Sequence, residues 1–140
     1  NYIETGKKVR SDFQNHLENI FVAENNPCFC SVDGVLYTKD KKYLIAYPFE
    51  KKETDFVMED ETIDMEDSAL AGFSTLKNIT IGKSFENYSS INCFSRYINL
   101  NNGTINIDDK NELFYVHDGI IYITENSWYN EKRTFNRRIP

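Results

Sequence analysis

The sequence lacks the features that mark membrane spans, disulfide frameworks and the common enzyme classes. Its 140 residues contain no apolar run near the roughly 20 residues that cross a bilayer, and no signal-peptide pattern follows Asn1. It has only three cysteines and two histidines. No phosphate-binding, dinucleotide-binding, zinc-protease or serine-hydrolase motif occurs. We therefore expect no membrane insertion by this segment, no cofactor and no enzymatic activity.

Positively charged residues are fewer than negatively charged ones. The net charge of −6 at pH 7 argues against nucleic acid as a partner, because such binding depends on neutralised phosphates. Nine acids face only Lys51 and Lys52 between residues 50 and 67, whereas residues 131–140 carry four basic side chains against one acid. Both stretches are typical of solvated surface. A calcium site in the acidic stretch stays open, although no ligand spacing supports it; its carboxylates would be Glu59, Asp60, Glu61 and Asp64.

Short apolar pairs at positions i and i+2 recur along the chain. They are Ile20/Val22, Phe56/Met58, Ile79/Ile81 and Ile105/Ile107. The last three pairs are 23 and 26 residues apart, and the first interval is 36. Each pair has the periodicity of a strand with one buried face. Side by side, four such strands would form a parallel ladder with a continuous core, which is the architecture of a repeat solenoid.

Two longer stretches share one skeleton 85 residues apart. Residues 26–40 read NPCFCSVDGVLYTKD and residues 111–125 read NELFYVHDGIIYITE. The Asp-Gly pair in each predicts a hairpin with a type I′ turn. After the first hairpin, TKDKKYLIAYP predicts a third strand. We therefore expect β-meanders inserted into the solenoid at about residues 28–47 and 113–129.

The segment FVMEDETIDMEDSALAGFSTLKNITI, residues 56–81, resembles the BspA-type leucine-rich repeat. The matching residues are Ala69, Gly72, Leu76, Ile79 and Ile81. Glu59 replaces the usual Pro and Phe73 the usual Cys, and the hairpin in residues 26–48 is similar to an insertion that recurs in the family. The resemblance implies a mainly β leucine-rich-repeat solenoid with short parallel strands, on a secreted or cell-surface protein that binds or adheres without catalysis.

The whole chain, residues 1–140, is expected to form a single solenoid domain excised from a longer protein. It begins without methionine and ends in Arg-Arg-Ile-Pro, and Ile-Pro opens a repeat strand in the resembled family. A piece cut in this way has open repeat edges at both ends. Self-association through the terminal strands is therefore expected.

The pair Cys28-x-Cys30 has two interpretations. It could be a metal clip or a redox pair; further ligands would be His16, His117 or Cys93. Aligning the two hairpins instead places Cys28 opposite Leu113 and Cys30 opposite Tyr115. Because apolar or aromatic residues fill the equivalent positions, we predict that the cysteines are buried structural residues and that no metal is bound.

A row of outward-facing side chains is the candidate binding site. In each predicted strand the residue between the two buried positions faces outward; these residues are Phe21, Val57, Thr80 and Asn106, with Lys77 beside them. Phe21 and Val57 form an apolar spot, unless the hairpin insert folds over and covers it. The expected ligand is a protein or glycan on a host or neighbouring cell. The alternatives are a spacer that carries another functional domain, or a carbohydrate-binding module attached to an enzyme.

Overall fold

The computed structural model describes residues 17–67, 69, 75–91, 94 and 102–124. Within this part the chain is mainly β, with short strands in three sheets. The strands are β1 (Phe29–Val32), β2 (Val35–Thr38), β3 (Tyr43–Ala46), β4 (Asp55–Val57), β5 (Asp64–Met65), β6 (Asn78–Ile81), β7 (Thr104–Ile107), β8 (Phe114–His117) and β9 (Ile120–Ile123). Residues 88–91 are helical. No helix among the described residues is long and apolar enough to cross a membrane.

The first sheet contains the meander that the Asp-Gly turn predicts. Strands β1, β2 and β3 pair antiparallel in sequence order, and β5 adds to β3 in parallel. Asp33 and Gly34 have φ angles of 48° and 78°, and a type I′ turn requires positive φ at both central residues. The local turn residues therefore determine this hairpin.

The second sheet contains three of the four predicted repeat strands. Strands β4, β6 and β7 lie parallel, with Phe56 opposite Ile79 and Ile79 opposite Ile105. Phe56, Ile79 and Ile81 are buried in the main core, and Ile105 packs against it. The strand period of the apolar pairs thus predicts both the pairing and the buried face.

Side-chain hydrogen bonds repeat the same register outside the strands. The Asn78 amide donates to Asp55 at 2.6 Å, the Lys83 ammonium donates to Asp60 at 2.8 Å, and the Asn87 amide donates to Asp64 at 2.6 Å. Each bond joins residues 23 positions apart. This is the interval between the pairs at Phe56 and Ile79, so consecutive repeats stack along their loops as well as along their strands.

The prediction that Ile20/Val22 joins this parallel ladder is wrong. The Ile20 N–H donates to the Gly34 carbonyl at 2.8 Å, and the Val22 N–H donates to the Ser31 hydroxyl at 3.2 Å. Ile20 packs with Leu36 and Ala46 in a separate small core. The turn and the first strand of the inserted meander therefore accept the hydrogen bonds of this segment. In the predicted ladder, β4 would have accepted them.

The second hairpin reproduces the first at its entry and at its turn. Asp118 and Gly119 have φ angles of 50° and 73°, and β8 pairs antiparallel with β9. At the entry, the Asn26 carboxamide oxygen accepts hydrogen bonds from the backbone of residues 28 and 29. The Asn111 oxygen accepts the same pair from residues 113 and 114. Any third strand in residues 125–129 lies outside the described residues.

Large side chains fill the main core. Tyr47 packs edge-on against Phe56 with ring centroids 5.2 Å apart, and Phe85 packs edge-on against Phe94 at 5.8 Å. Each such side chain contributes roughly 1.5–3 kcal/mol when fully buried. The core therefore holds the meander and the parallel sheet to one another. The predicted single domain over residues 1–140 and its open terminal edges stay predictions, because both termini lie outside the described residues.

Candidate binding surface

Three of the predicted site residues lie side by side on the parallel sheet. Val57, Thr80 and Asn106 occupy matching positions on β4, β6 and β7. Val57 and Asn106 are exposed, and Thr80 is half-buried between them. Lys77 is exposed just before β6. The alternation of a half-buried strand thus produces the predicted row on these three strands.

Phe21 lies outside this row, because its segment does not join the sheet. It meets Val57 instead across a concavity of about 700 Å³. One wall contains Phe21 and the Asp33-Gly34 turn, and the other contains β4. Phe21 is 55% exposed and Val57 is 69% exposed. The hairpin therefore forms a wall beside the apolar spot and does not cover it.

The Asp33-Gly34 turn packs against Asn19 in the lining of the concavity. A Cβ atom at Gly34 would lie 2.3 Å from Asn19 Oδ1 and 3.0 Å from Asn19 Cβ. Real Cβ atoms do not approach other atoms so closely, so glycine allows the turn to pack directly on Asn19. Gly34 thus serves both the positive φ of the turn and the shape of the concavity.

Lys51 lies in the lining of the concavity and is an unexpected participant. Its side chain is 5% exposed, and its Nζ lies 3.1 Å from Glu53 Oε1 and 3.4 Å from Asn19 Oδ1. Lysine is rarely buried without such partners. Sequence reasoning assigned Lys51 to a solvated acidic stretch, since no local pattern marks a lysine whose partner is 32 residues away.

The concavity has an acidic lining. It contains the carboxylates of Asp33, Glu53, Asp55 and Glu59, against the Lys51 ammonium. A hydrogen bond from the Glu53 backbone and another from Lys51 lower the pKa of Glu53. Hydrogen bonds from Asn78 and Thr54 likewise lower the pKa of Asp55. Both carboxylates therefore stay ionised at neutral pH.

The acids considered for calcium point to separate partners. Glu59 forms an ion pair with Lys41 at 2.6 Å, and Asp60 forms one with Lys83 at 2.8 Å. Asp64 accepts its hydrogen bond from Asn87. Within the described residues, no three histidine, cysteine or acidic side chains converge as metal ligands.

The two described cysteines differ from one another. Cys30 is half-buried, its Sγ lies 3.2 Å from the Thr38 carbonyl, and burial raises the pKa of its thiol. Cys28 is exposed, so the prediction that it is buried is wrong. It directly precedes β1, and its carbonyl accepts a hydrogen bond from the Lys39 N–H at 2.8 Å. Cys93 lies outside the described residues.

A second, smaller concavity of about 440 Å³ lies between β7 and β8. Its lining includes Asn106, Asp108, Asp109 and Tyr115. Tyr115 is 37% exposed and stacks on Tyr122, with ring centroids 5.3 Å apart and planes inclined by 16°. The alignment of the hairpins places Tyr122 opposite Tyr37 and suggests a core position for it like that of Tyr37. Tyr122 is only half-buried, because the second hairpin packs less deeply than the first.

Comparison with known proteins yields two partial structural likenesses. No family model matches the chain, and no curated protein matches it. The crystal structure of the pneumococcal vaccine antigen PcpA shares 35% identity and a TM-score of 0.45 over 49% of this chain and 17% of that one. A leucine-rich repeat protein from Eubacterium ventriosum shares 34% identity and a TM-score of 0.45 over 51% of this chain and 19% of that one. The matched part is thus less than a fifth of either protein.

Proposed function

We propose that this chain is a non-catalytic binding module of the leucine-rich-repeat type, from a BspA-like secreted or cell-surface protein. Its ligand is a protein or glycan on a host or neighbouring cell. The ligand occupies the concavity between Phe21 and β4 and extends over the row of Val57, Thr80 and Asn106. The repeat assignment draws support from the parallel register and from the three hydrogen bonds between residues 23 positions apart.

The exposed pair Phe21 and Val57 is the observation that carries this proposal. Large apolar side chains that line one concavity together are a feature of interaction sites. Transfer of their surface from water into a complex stabilises the complex by about 25 cal/mol per Å² of apolar area. Because the rest of the lining is acidic, a ligand with both apolar and cationic groups fits best.

A binding screen with two matched variants tests the proposal. Extracellular-matrix proteins and a glycan array are probed with the wild-type chain and with Phe21→Asp/Val57→Asp. The control is Phe49→Asp/Tyr88→Asp, which adds the same charge at two exposed aromatic positions outside the concavity. We expect specific wild-type binding that the first variant loses and the control keeps.

Two results would contradict this proposal. Binding that survives Phe21→Asp/Val57→Asp would place the ligand elsewhere on the molecule. The absence of any binding by the wild type would favour a spacer that carries the active part of a longer protein.

Carbohydrate binding at the second concavity is the other candidate function. The exposed ring of Tyr115, beside Asn106 and Asp109, combines an apolar platform with hydrogen-bonding groups, which are the features that orient a ligand in a mostly apolar site. On the same glycan array, Tyr115→Ala should abolish binding that Phe21→Asp/Val57→Asp leaves intact. Equal binding by Tyr115→Ala and the wild type would exclude this site.

A further inference from the structure

We infer that the edge of β4 that is free among the described strands receives an extended peptide segment of a protein partner. The peptide side chains that face the concavity include both lysine or arginine and apolar residues. The bound segment lengthens the parallel sheet by one strand. This inference rests on the proposed function and names the class of ligand for the same concavity.

The hydrogen bonds between β4 and β6 show which backbone groups of β4 are free. The Asn78 N–H donates to the Thr54 carbonyl and the Met58 N–H donates to the Thr80 carbonyl, each at 2.9 Å. Backbone groups of alternate residues in a strand point to opposite sides. The N–H and C=O groups of Asp55 and Val57 therefore point away from β6.

The free side of β4 faces the concavity. Asp55 and Val57 both line it, and β4 pairs only with β6 among the described strands. No hydrogen bond from another described segment reaches the backbone of Asp55 or Val57. An edge of this kind is a template for a further strand. Because neighbouring strands lie about 4.8 Å apart, an added strand would lie between β4 and the wall that contains Phe21.

The observed edge favours a peptide over a glycan. A peptide presents alternating N–H and C=O groups at the repeat of β4, so its main chain supplies affinity and its side chains supply specificity. A sugar has no such repeat. The apolar residues of the peptide would contact Phe21 and Val57, the exposed apolar side chains of the concavity.

Charge determines the remaining side chains of the peptide. The lining carries four carboxylates and the Lys51 ammonium, and Lys41 outside the lining pairs with Glu59, which leaves a net charge of −2. Lys51 is already held by Glu53 and Asn19. Asp55 and Val57 point to the same face of β4. The outer carboxylates thus favour a peptide in which lysine or arginine shares one strand face, at every second position, with the apolar residues, and they disfavour acidic segments.

Selection from a random library tests the class of ligand. A phage-displayed library of random decapeptides is panned on the wild-type chain and counter-selected on Phe21→Asp/Val57→Asp. We expect enrichment of sequences in which basic and apolar residues share every second position. Enrichment of acidic sequences, or no enrichment over the counter-selection, would overturn the inference.

Backbone changes then test the strand geometry on the selected peptides. Val57→Pro removes one of the two N–H groups of β4 that point away from β6 and breaks no hydrogen bond to β6, since proline is tolerated on the open side of an edge strand. It should weaken peptide binding about tenfold or more, as expected for one lost backbone hydrogen bond with a buried partner. Val57→Thr keeps the N–H and a similar volume and serves as the matched comparison, so Val57→Pro should bind about tenfold more weakly than Val57→Thr.

A modified peptide keeps the experiment decisive if Val57→Pro fails to fold. N-methylation at every second residue can begin at an odd or an even position of the peptide, which gives two frames. In one frame it removes the N–H donors that face β4, and in the other it leaves them intact. We expect one frame to abolish binding to the wild-type chain and the other to preserve it. Equal binding by both frames would overturn the edge inference. If Phe21→Asp/Val57→Asp still abolished that binding, the proposed function would stand; if it did not, both would fail.

Discussion

Gly34 and Gly119 occupy equivalent turns but have different surroundings. Both have positive φ, at 78° and 73°. A Cβ atom at Gly34 would meet Asn19, whereas a Cβ atom at Gly119 would have no described residue beyond its chain neighbours within 4 Å. Substitutions at the two positions thus separate the cost of positive φ from the cost of the steric contact with Asn19.

Gly34→Ala should therefore destabilise the protein more than Gly119→Ala. Positive φ costs an alanine roughly 1–2 kcal/mol at either position. The contact with Asn19 should add about 1 kcal/mol at Gly34 alone, a modest part of the cost of overpacking. Urea unfolding of both variants measures the difference, and equal losses would show that the turn moves away from Asn19 without cost.

Cysteine reactivity should follow burial at the residue scale. The exposed thiol of Cys28 should react with iodoacetamide at mildly alkaline pH well before that of Cys30, whose raised pKa lowers its thiolate fraction. Mass spectrometry of the digested protein gives the two rates. In denaturant the rates should converge, and faster labelling of Cys30 in the folded chain would contradict its half-buried position.

Cysteine substitution separates the same two environments. Cys28→Ala should change the free energy of unfolding by less than about 0.5 kcal/mol, as for most surface substitutions. Cys30→Ala should cost about 1 kcal/mol through lost packing. A large loss of stability in Cys28→Ala, accompanied by release of zinc, would restore the metal interpretation.

At the scale of elements, an asparagine caps each hairpin, and the asparagine of the second hairpin also anchors it to the preceding repeat. Asn111 donates to the carbonyls of Gly82 and Phe85, at 3.0 Å each, in addition to capping its own hairpin. Asn26 caps its hairpin in the same way. The cap is local and the same in both copies, whereas the anchor to the preceding repeat depends on the tertiary structure.

Asn111→Ala should therefore cost about 2–4 kcal/mol, because it leaves buried backbone groups without partners. Asn111→Asp keeps the acceptor oxygen but replaces the donors to Gly82 and Phe85 with a buried carboxylate oxygen, so it should be at least as destabilising as Asn111→Ala. Asn26→Ala should cost about 1–2 kcal/mol. Chemical denaturation compares the three variants. An Asn111→Asp variant as stable as the wild type would show that the anchor contributes nothing.

Recognition of these elements from the sequence depended on local chemistry. Asp-Gly turns and i, i+2 apolar pairs predict the hairpins and the register of β4, β6 and β7, because both signals come from residues close in sequence. The position of Ile20 and Val22 was not predictable in this way. Their pattern fits a repeat strand equally well, and only the presence of the meander beside them decided their partners.

At the scale of the whole molecule, exposed carboxylates make the stability of the folded state depend on pH. Hydrogen bonds hold the pKa values of Asp55 and Asp60 below the ordinary value of 3.8, and that of Glu53 below 4.5. A group whose pKa is lowered by folding stabilises the native state above its unfolded pKa. That contribution is lost as the pH falls through the lower pKa of the folded state.

The melting temperature should therefore be nearly constant above about pH 5 and fall as the pH drops below about 4. Salt at about 1 M should reduce the part of this fall that comes from ion pairs, since it screens exposed charges. Asp60→Asn removes the ion pair with Lys83, so the melting temperature of this variant should fall less at low pH. Thermal denaturation across the pH range checks both expectations, and a pH-independent melting temperature would contradict them.

The sequence by itself determined the mainly β character, the two Asp-Gly hairpins, the parallel register of three repeat strands and the outward row of Val57, Thr80 and Asn106. These features follow from backbone preferences and from side-chain periods that operate within a few residues. Only the tertiary structure decided that Phe21 faces Val57 across a concavity, that Lys51 is buried in its lining, and that no other described strand pairs with β4 on that side. Burial and pairing depend on which distant segment arrives at a surface, and an inserted meander changed that partner without changing the local pattern.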